Sequence, residues 1–362
     1  MNSNNNFDLD YKIQKPKNYK KYNIGIIGAG NIVENSHLPA YLDNNLNIIN
    51  IFDINEAKSK YLKEKFNIEK CSSNLEEFLQ DKDIHIVDIA VPAKYNKELF
   101  FETLKFNKNI LIQKPLADNL ETGLDILRKY KELNLKASVN HQMRYSPAIR
   151  AAGYLIKNNM LGKVLEFNFF TKRKTDWSKW PWLEKLDYPE LWYNSIHYID
   201  SIRYLFGEPL KINAKLLKHP NSNLNKPTRT YIDFEYADDL QGNLNISHDS
   251  FLKSDKWTAG FEIEGDRGIC SGRISSMIGD GKNFKDNISF TSSNSNQLIE
   301  VNKELEGRWF PDSFIGPMYS LMDAIDNNTQ PETNITDAFK TLKLLNLIEH
   351  SHESEKKVLC SS

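Results

Sequence analysis

The residues best suited to chemistry in this chain stand at the ends of predicted elements. In Asn109-Ile110-Leu111-Ile112-Gln113-Lys114-Pro115, three β-formers run into a lysine and a proline. An ammonium is costly to bury, and proline cannot continue a central strand. Lys114 therefore marks the carboxyl end of a core strand. It is either a solvated rim residue or a cation that stabilises negative charge developing on an oxygen. His197 titrates near neutral pH and has Asp200 one helical turn later on the same side. It is either a proton acceptor or a satisfied structural histidine. Gly28-Ala29-Gly30 follows the apolar run Ile24–Ile27, and Asp53 lies 25 residues after Gly28. Gly28 permits a tight turn, and Gly30 lets backbone approach a pyrophosphate held at the next helix N-terminus. A carboxylate at Asp53 binds ribose hydroxyls and repels a 2′-phosphate, which points to NAD. Val33 stands where the third glycine of that fingerprint is usual. The plainer alternative is a turn with a helix-capping aspartate.

These residues need a scaffold. Strands are predicted at Tyr22–Ile27, Asn47–Asn55, Ile84–Pro92, Lys108–Pro115 and Lys136–Tyr145. Helical stretches such as Glu56–Phe66 and Asn119–Leu133 lie between them. Near-continuous apolar strands alternating with helices mean a parallel sheet covered on both faces, which binds ligands beyond the strands' carboxyl ends.

From about residue 150 the pattern changes. Strands are predicted at Val164–Lys172, Leu210–Leu217, Thr230–Ala237, Gly242–Asp249, Ala259–Gly265 and Asn287–Ser292, several alternating in polarity. Helices are predicted at Ala148–Lys157, Trp192–Phe206, Ser313–Asp326 and Thr336–His350. This is a mostly antiparallel sheet with one wetter face.

The 362 residues, 40% hydrophobic and 26% charged, suit a two-domain globular protein. A net charge of −1 favours neither nucleic acid nor an anionic membrane as partner. Cys71, Cys270 and Cys360 are too few and too scattered for a disulfide framework or a zinc pattern, so no metal is expected. There is no apolar run of membrane-spanning length and no signal-peptide core at the polar N-terminus, so the expected location is the cytoplasm. The Asn-rich arm, residues 1–22, is expected to be mobile or to reach a partner subunit.

Five stretches in order resemble the glucose-fructose oxidoreductase and inositol dehydrogenase family: Gly25–Tyr41, Val87–Asn96, Ile110–Asn119, Ser195–Pro209 and Phe261–Gly268. The closing Pro331–Ser354 resembles the family's last helix. The resemblance implies an α/β Rossmann domain with a doubly wound parallel sheet, then an α+β domain with a large, mostly antiparallel open sheet. The expected boundaries are 23–147 and 148–362. It implies an NAD-dependent oxidoreductase that moves hydride between nicotinamide and a secondary alcohol or ketone of a sugar, cyclitol, sugar acid or related polyol. Lys114 would be the cation and His197 the base. Gly28, Gly30, Asn31, Ile32, Asp53, Val91, Pro92, Asn96, Gln113 and Lys114 would line the cofactor. Tyr193, Asn194, Asp200, Arg173 and Trp177 would face the substrate. A homodimer or homotetramer is implied, the uncovered sheet face being taken as apolar.

Three positions depart from the family. Gln113 replaces a glutamate before Lys-Pro, Tyr193 replaces an acid one turn before the histidine, and Asn96 replaces a histidine. These changes leave two further readings: an NAD-binding sensor without turnover, and a redox-assisted hydrolase or lyase that keeps NAD tightly bound. The stretch Lys172–Tyr193 holds four of the six tryptophans, Trp177, Trp180, Trp182 and Trp192. It is either a sugar-facing aromatic wall or a satellite cluster packing a long loop. Arg308–Phe314 is expected to close the same pocket.

Overall fold

The apolar runs of the first third become six strands in a computed structural model, which describes residues 7–360 except 254, 278, 295 and 296. They are β1 (Asn23–Ile27), β2 (Asn47–Phe52), β3 (Lys70–Cys71), β4 (Ile86–Ile89), β5 (Asn109–Gln113) and β6 (Ala137–Asn140). The helices among them are α1 (Leu38–Asp43), α2 (Glu56–Phe66), α3 (Leu75–Gln80), α4 (Asn96–Leu104) and α5 (Leu120–Tyr130). The strands pair in parallel in the order β3-β2-β1-β4-β5-β6, the doubly wound arrangement. Burial on both faces explains the unbroken apolar runs: Ile24, Ile26, Ile110, Leu111 and Ile112 have no exposed surface. Asparagines begin two of the helices. Asn74 Oδ1 accepts the Glu77 N–H at 2.9 Å and Asn119 Oδ1 that of Thr122 at 2.8 Å, each cap contributing about 1 kcal/mol.

By contacts the chain divides discontinuously. One unit is Ile13–Gln142 with Pro311–Lys343; the other is Met143–Phe310 with the described parts of Met1–Lys12 and Leu344–Ser362. The returning segment closes the open edge of the first sheet. Val139 N–H donates to Thr333 O at 2.8 Å, and the hydroxyls of Ser138 and Thr333 share a hydrogen bond of 2.8 Å. Helix α8 (Ile315–Asn327) packs on β5 and β6. The fifth predicted strand is shorter than expected. It ends at Asn140 rather than Tyr145, because the chain turns there toward Pro147, which opens α6 (Pro147–Lys157).

Among its described residues the second unit holds nine strands: β7 (Val164–Arg173), β8 (Lys211–Leu217), β9 (Arg229–Glu235), β10 (Gln241–Ser247), β11 (Trp257–Gly265), β12 (Gly268–Arg273), β13 (Asn287–Asn294), β14 (Gln297–Glu304) and β15 (Val358–Leu359). Their order is β14-β13-β12-β11-β7-β10-β9-β8-β15, and only β7 with β10 is parallel. Strands β12 and β14 escape sequence reading because glycines and charges interrupt their alternation. The inner face, with Phe167, Phe169, Ile232, Phe234, Phe261 and Phe290, is buried. Helices α6 and α7 (Ile196–Phe206) pack on each other, and α6 packs on β12 and β13.

Two expectations need correction here. The outward sheet face is not apolar: Glu166, Asn168, Asp233, Asn243, Glu262 and Glu264 are exposed on it. The described start of the arm packs on its own chain. The Phe7 ring meets Phe290 edge-on at 5.2 Å, and Glu306 N–H donates to Tyr11 Oη at 2.9 Å. The Asn2–Asn6 run lies outside the described residues. Among the described residues, no helix is long and apolar enough to cross a membrane.

Candidate active site

The carboxyl ends of β1, β2, β4 and β5 gather the expected cofactor residues in one unit. Gly28 has φ +107°, donates its N–H to Phe52 O at 2.7 Å, and leaves no room for a side chain: a Cβ there would lie 2.4 Å from Ala90 O. Gly30 differs, since a Cβ there would meet nothing within 4 Å. Packing therefore explains Gly28 but not Gly30, whose bare backbone faces open space. That clearance fits a pyrophosphate. Gly30 O accepts the N–H groups of Val33 (3.0 Å) and Glu34 (3.1 Å), so Asn31 and Ile32 head the following helix, where anions are favoured. Asp53 sits just past β2. Its Oδ2 accepts the Ala29 N–H at 2.7 Å and its Oδ1 that of Asn55 at 2.8 Å, which steers the carboxylate toward the glycine turn. Val91 borders the same turn, and Pro92 leads the short helical turn Ala93–Tyr95.

Lys114 is half-buried at the end of β5, and its peptide to Pro115 is cis. Its N–H donates to Gln113 Oε1 at 2.8 Å. That orients the Gln113 amide so that Nε2 faces His37 Nε2 at 3.3 Å, as does Asn140 Nδ2 at 3.3 Å. Two amide donors converge on that ring nitrogen, so it accepts, and His37 Nδ1–H donates to Asp88 Oδ2 at 2.7 Å. Tyr41 donates to the same oxygen at 2.8 Å. Asp88, His37 and Gln113 thus form a buried chain that ends on the Lys114 backbone. An amide at 113 suits a neutral imidazole; a carboxylate would not. Asn96 has no exposed surface, and its amide nitrogen lies against the carbonyls of Gln113 (3.4 Å), Pro115 (3.0 Å) and Leu116 (3.3 Å). It braces the turn from beneath rather than facing the rim.

In the second unit, a π turn over Leu191–Ser195 leads into α7 and presents Tyr193 and Asn194 ahead of His197. His197 meets Trp309 edge-on at 5.2 Å; Trp309 lies 6.3 Å from Trp257, and the Arg173 guanidinium 5.4 Å from Trp257. Arg173 Nη2 donates to Asn194 Oδ1 at 3.3 Å. These contacts join Arg173, Asn194 and His197 through one aromatic wall. Asp200 is engaged elsewhere. Buried, it holds Arg144 through two bonds of 2.5 and 2.7 Å, a charge-assisted fork that fixes α7. Trp177 is buried with Leu183 and Leu224, and Tyr193, Trp180 and Leu186 pack on that group. The satellite cluster is therefore real, and Trp177 Nε1 donates to Asp249 Oδ2 at 3.1 Å from within it.

Sequence reading missed Glu190, His248 and Thr175. Glu190, buried, accepts Ser195 Oγ–H at 2.8 Å and a hydrogen bond from Thr230, and lies 3.3 Å from His248 Nε2. His248 Nδ1 accepts from Arg173 Nε at 3.1 Å. Burial first, then Arg173, holds the imidazole below its ordinary pKa, so it is neutral at pH 7. No spacing rule joins residues 173, 190 and 248. His37 lies inside the Gly25–Tyr41 stretch, but a lone histidine carries no role by itself.

Two family models match the chain: "Oxidoreductase family, NAD-binding Rossmann fold" over residues 22–141, and "Oxidoreductase family, C-terminal alpha/beta domain" over residues 154–359. The chain belongs to the glucose-fructose oxidoreductase and inositol dehydrogenase family. One relative in this family, levoglucosan dehydrogenase of Pseudarthrobacter phenanthrenivorans, is 30% identical over 42% of this chain and 40% of its own length. Another, glucose-6-phosphate 3-dehydrogenase of Bacillus subtilis, is 26% identical over 61% of this chain and 64% of its own length. Both matches thus span less than two thirds of the relative. A solved structure of levoglucosan dehydrogenase in complex with NADH superposes with a TM-score of 0.81 at 20% identity, covering 94% of this chain and 99% of that one. That likeness carries the fold.

Proposed function

We propose that the protein is an NAD-dependent dehydrogenase acting on a secondary alcohol of a sugar, cyclitol or related polyol. The observation that supports it most is the pair of unlike glycines beside Asp53: Gly28 is required by packing, whereas Gly30 is bare toward open space. The family's relatives named above are sugar dehydrogenases, which favours this substrate class.

When bound, the dinucleotide supplies hydride exchange with the carbinol carbon. Gly28, Gly30, Asn31 and Ile32 hold the pyrophosphate, and Asp53 binds the adenosine ribose. Val91, Pro92 and Gln113 complete that side, with Asn96 bracing it. Lys114 stabilises the charge that develops on the substrate oxygen, and His197 accepts its proton. Arg173 and Asn194 orient the substrate, Tyr193 borders it, and Asp200 and Trp177 act by fixing α7 and the loop. Residues 23–147 are the cofactor-binding stretch and 148–362 the substrate stretch in this reading. A cytoplasmic location is proposed from the scattered cysteines, and a homodimer or homotetramer from the family resemblance, since the polar sheet face gives it no apolar support.

The test is a panel of cyclitols, aldoses and sugar acids assayed for NADH absorbance, with calorimetric titration of NAD and NADP. NAD should bind about ten- to a hundredfold more tightly, because a 2′-phosphate beside Asp53 costs on the order of 1–3 kcal/mol. Equal or tighter NADP binding removes Asp53 from its assigned role. Cofactor that survives purification without net NAD consumption favours the hydrolase or lyase alternative.

A further inference from the structure

Arg173 ends β7 and is held in an unusual manner for a guanidinium of low exposure. Its Nε donates to Thr175 Oγ1 at 2.9 Å and to His248 Nδ1 at 3.1 Å, and its Nη2 to Asn194 Oδ1 at 3.3 Å. All three partners are uncharged. Among the described residues no carboxylate lies within ion-pair distance of it, in contrast to Arg144 on Asp200 and Arg203 on Glu208 in the same unit.

The nearby carboxylates are turned to other donors. Glu190 is taken up by Ser195, Thr230 and His248, and Asp249 by the Trp177 indole. His248 stands between Glu190 and Arg173 as a neutral imidazole, donating from Nε2 to the first and accepting at Nδ1 from the second. This relay fixes the guanidinium without a direct ion pair. A guanidinium has five N–H donors in a planar fork. The Nη1 group and one N–H of Nη2 have no acceptor among the described residues. Burial pulls the group down to about 10, while Tyr198, Glu190 and Asp249 hold it up, so it stays charged at neutral pH. A second donor lies along the same aromatic wall: the indole Nε1 of Trp309, buried and without a hydrogen-bond partner among the described residues.

We propose that Arg173 anchors an anionic group, carboxylate or phosphate, on the substrate, so that the enzyme takes a sugar acid or sugar phosphate rather than a neutral polyol. The inference rests on the dehydrogenase reading only in calling the ligand a substrate. A charged partner meets donors that no carboxylate occupies. A neutral hydroxyl at the same place makes weaker hydrogen bonds to those donors. Glu190 and Asp249 keep Arg173 protonated, and their own hydrogen bonds keep them from taking its open donors.

The test titrates the full-length protein, with NADH bound, with inorganic phosphate, D-gluconate and D-glucose by calorimetry, and assays the two sugars for NAD reduction. At least one of the anions should bind about ten- to a hundredfold more tightly than glucose. The preference should fall to within about twofold in Arg173→Gln and persist in part in Arg173→Lys. Asn194→Asp is nearly isosteric, places a carboxylate on Nη2, and should abolish the preference while Arg173 remains. It decides the matter where Arg173→Gln does not fold, and NADH binding in the other unit reports folding. Which anion binds separates phosphate from carboxylate. Glucose binding as tightly as both anions, no anion binding, or a preference that survives both Arg173→Gln and Asn194→Asp overturns the proposal. Arg173-dependent anion binding without NAD reduction keeps this inference and removes the dehydrogenase reading. NAD reduction by glucose without anion preference does the reverse.

Discussion

The glycine turn of the first unit and the Arg173 cluster of the second solve different problems. At the turn the backbone is bare, and a Cβ at Gly30 would meet nothing within 4 Å. Gly28, Gly30, Asp53 and the Lys-Pro turn all sit at ends of parallel strands, where the sheet brings them together regardless of what else the chain contains. In the Arg173 cluster, side chains from β7, the loop after it, the π turn before α7 and the end of β10 meet in three dimensions only. One site is built from positions along strands; the other is built from packing. The first should be sensitive to backbone clearance and the second to charge and hydrogen-bond identity.

The strongest way to sharpen this contrast is to remove one reacting group from each region. His197→Ala should lower turnover about 10²–10⁴-fold, with a smaller loss at high pH where hydroxide substitutes in part. Lys114→Ala should lower it about 10²–10³-fold at all pH values where the lysine is charged. Neither should much change NAD affinity. Steady-state kinetics against pH checks both, and parental turnover in Lys114→Ala reduces that lysine to a rim residue.

The two glycines offer the next test. Gly28→Ala must carry a Cβ at φ +107° and 2.4 Å from Ala90 O. It should lose about 1–3 kcal/mol of stability in denaturant titration. Gly30→Ala should melt like the parent yet bind NAD more weakly, because its Cβ fills space that no protein atom uses. If both variants lose stability alike, Gly30 is a packing glycine and the case for a cradle fails.

Gln113→Glu probes the buried chain behind Lys114. A carboxylate there sets an acceptor against a ring nitrogen that itself accepts, and leaves that buried nitrogen one donor fewer. The variant should lose about 1–3 kcal/mol in denaturant titration at pH 8. Parental stability in the variant reverses the assigned tautomer.

The smallest effect concerns His248. Its folded value is depressed by burial and by Arg173. The unfolded chain therefore takes up a proton first, below about pH 6.5, and stability present above that pH falls as pH drops toward the folded value. Melting of the parent should decline from pH 7 to pH 5, and His248→Gln should flatten part of that slope. An unchanged slope means the imidazole titrates as it does in the unfolded chain.

Much of this was legible from residues alone. Period and composition separated a parallel sheet from an antiparallel one, because strands buried on both faces read as unbroken apolar runs and half-exposed strands alternate. Gly-Ala-Gly after a strand, with Asp53 at the next strand's end, pointed to an NAD-binding Rossmann domain, which the family match over residues 22–141 supports, because those constraints are local and repeat at fixed spacing. Departures such as Gln113 were visible, but not their compensation: only the fold sets His37, Asp88 and Asn140 around that amide. Asp200 and Asn96 had been placed at the site by spacing and resemblance, and packing turned the first to Arg144 and the second beneath the Lys-Pro turn. The return of 311–343 onto β6 was equally hidden, since an edge strand's unmet backbone groups do not specify which distant segment will satisfy them. Sequence determined what could bind along strand ends, where geometry follows from chain direction. Tertiary structure decided which charges meet a carboxylate, as Arg144 does, and which are held by uncharged partners, as Arg173 is, because that depends on which side chains from remote segments are packed together.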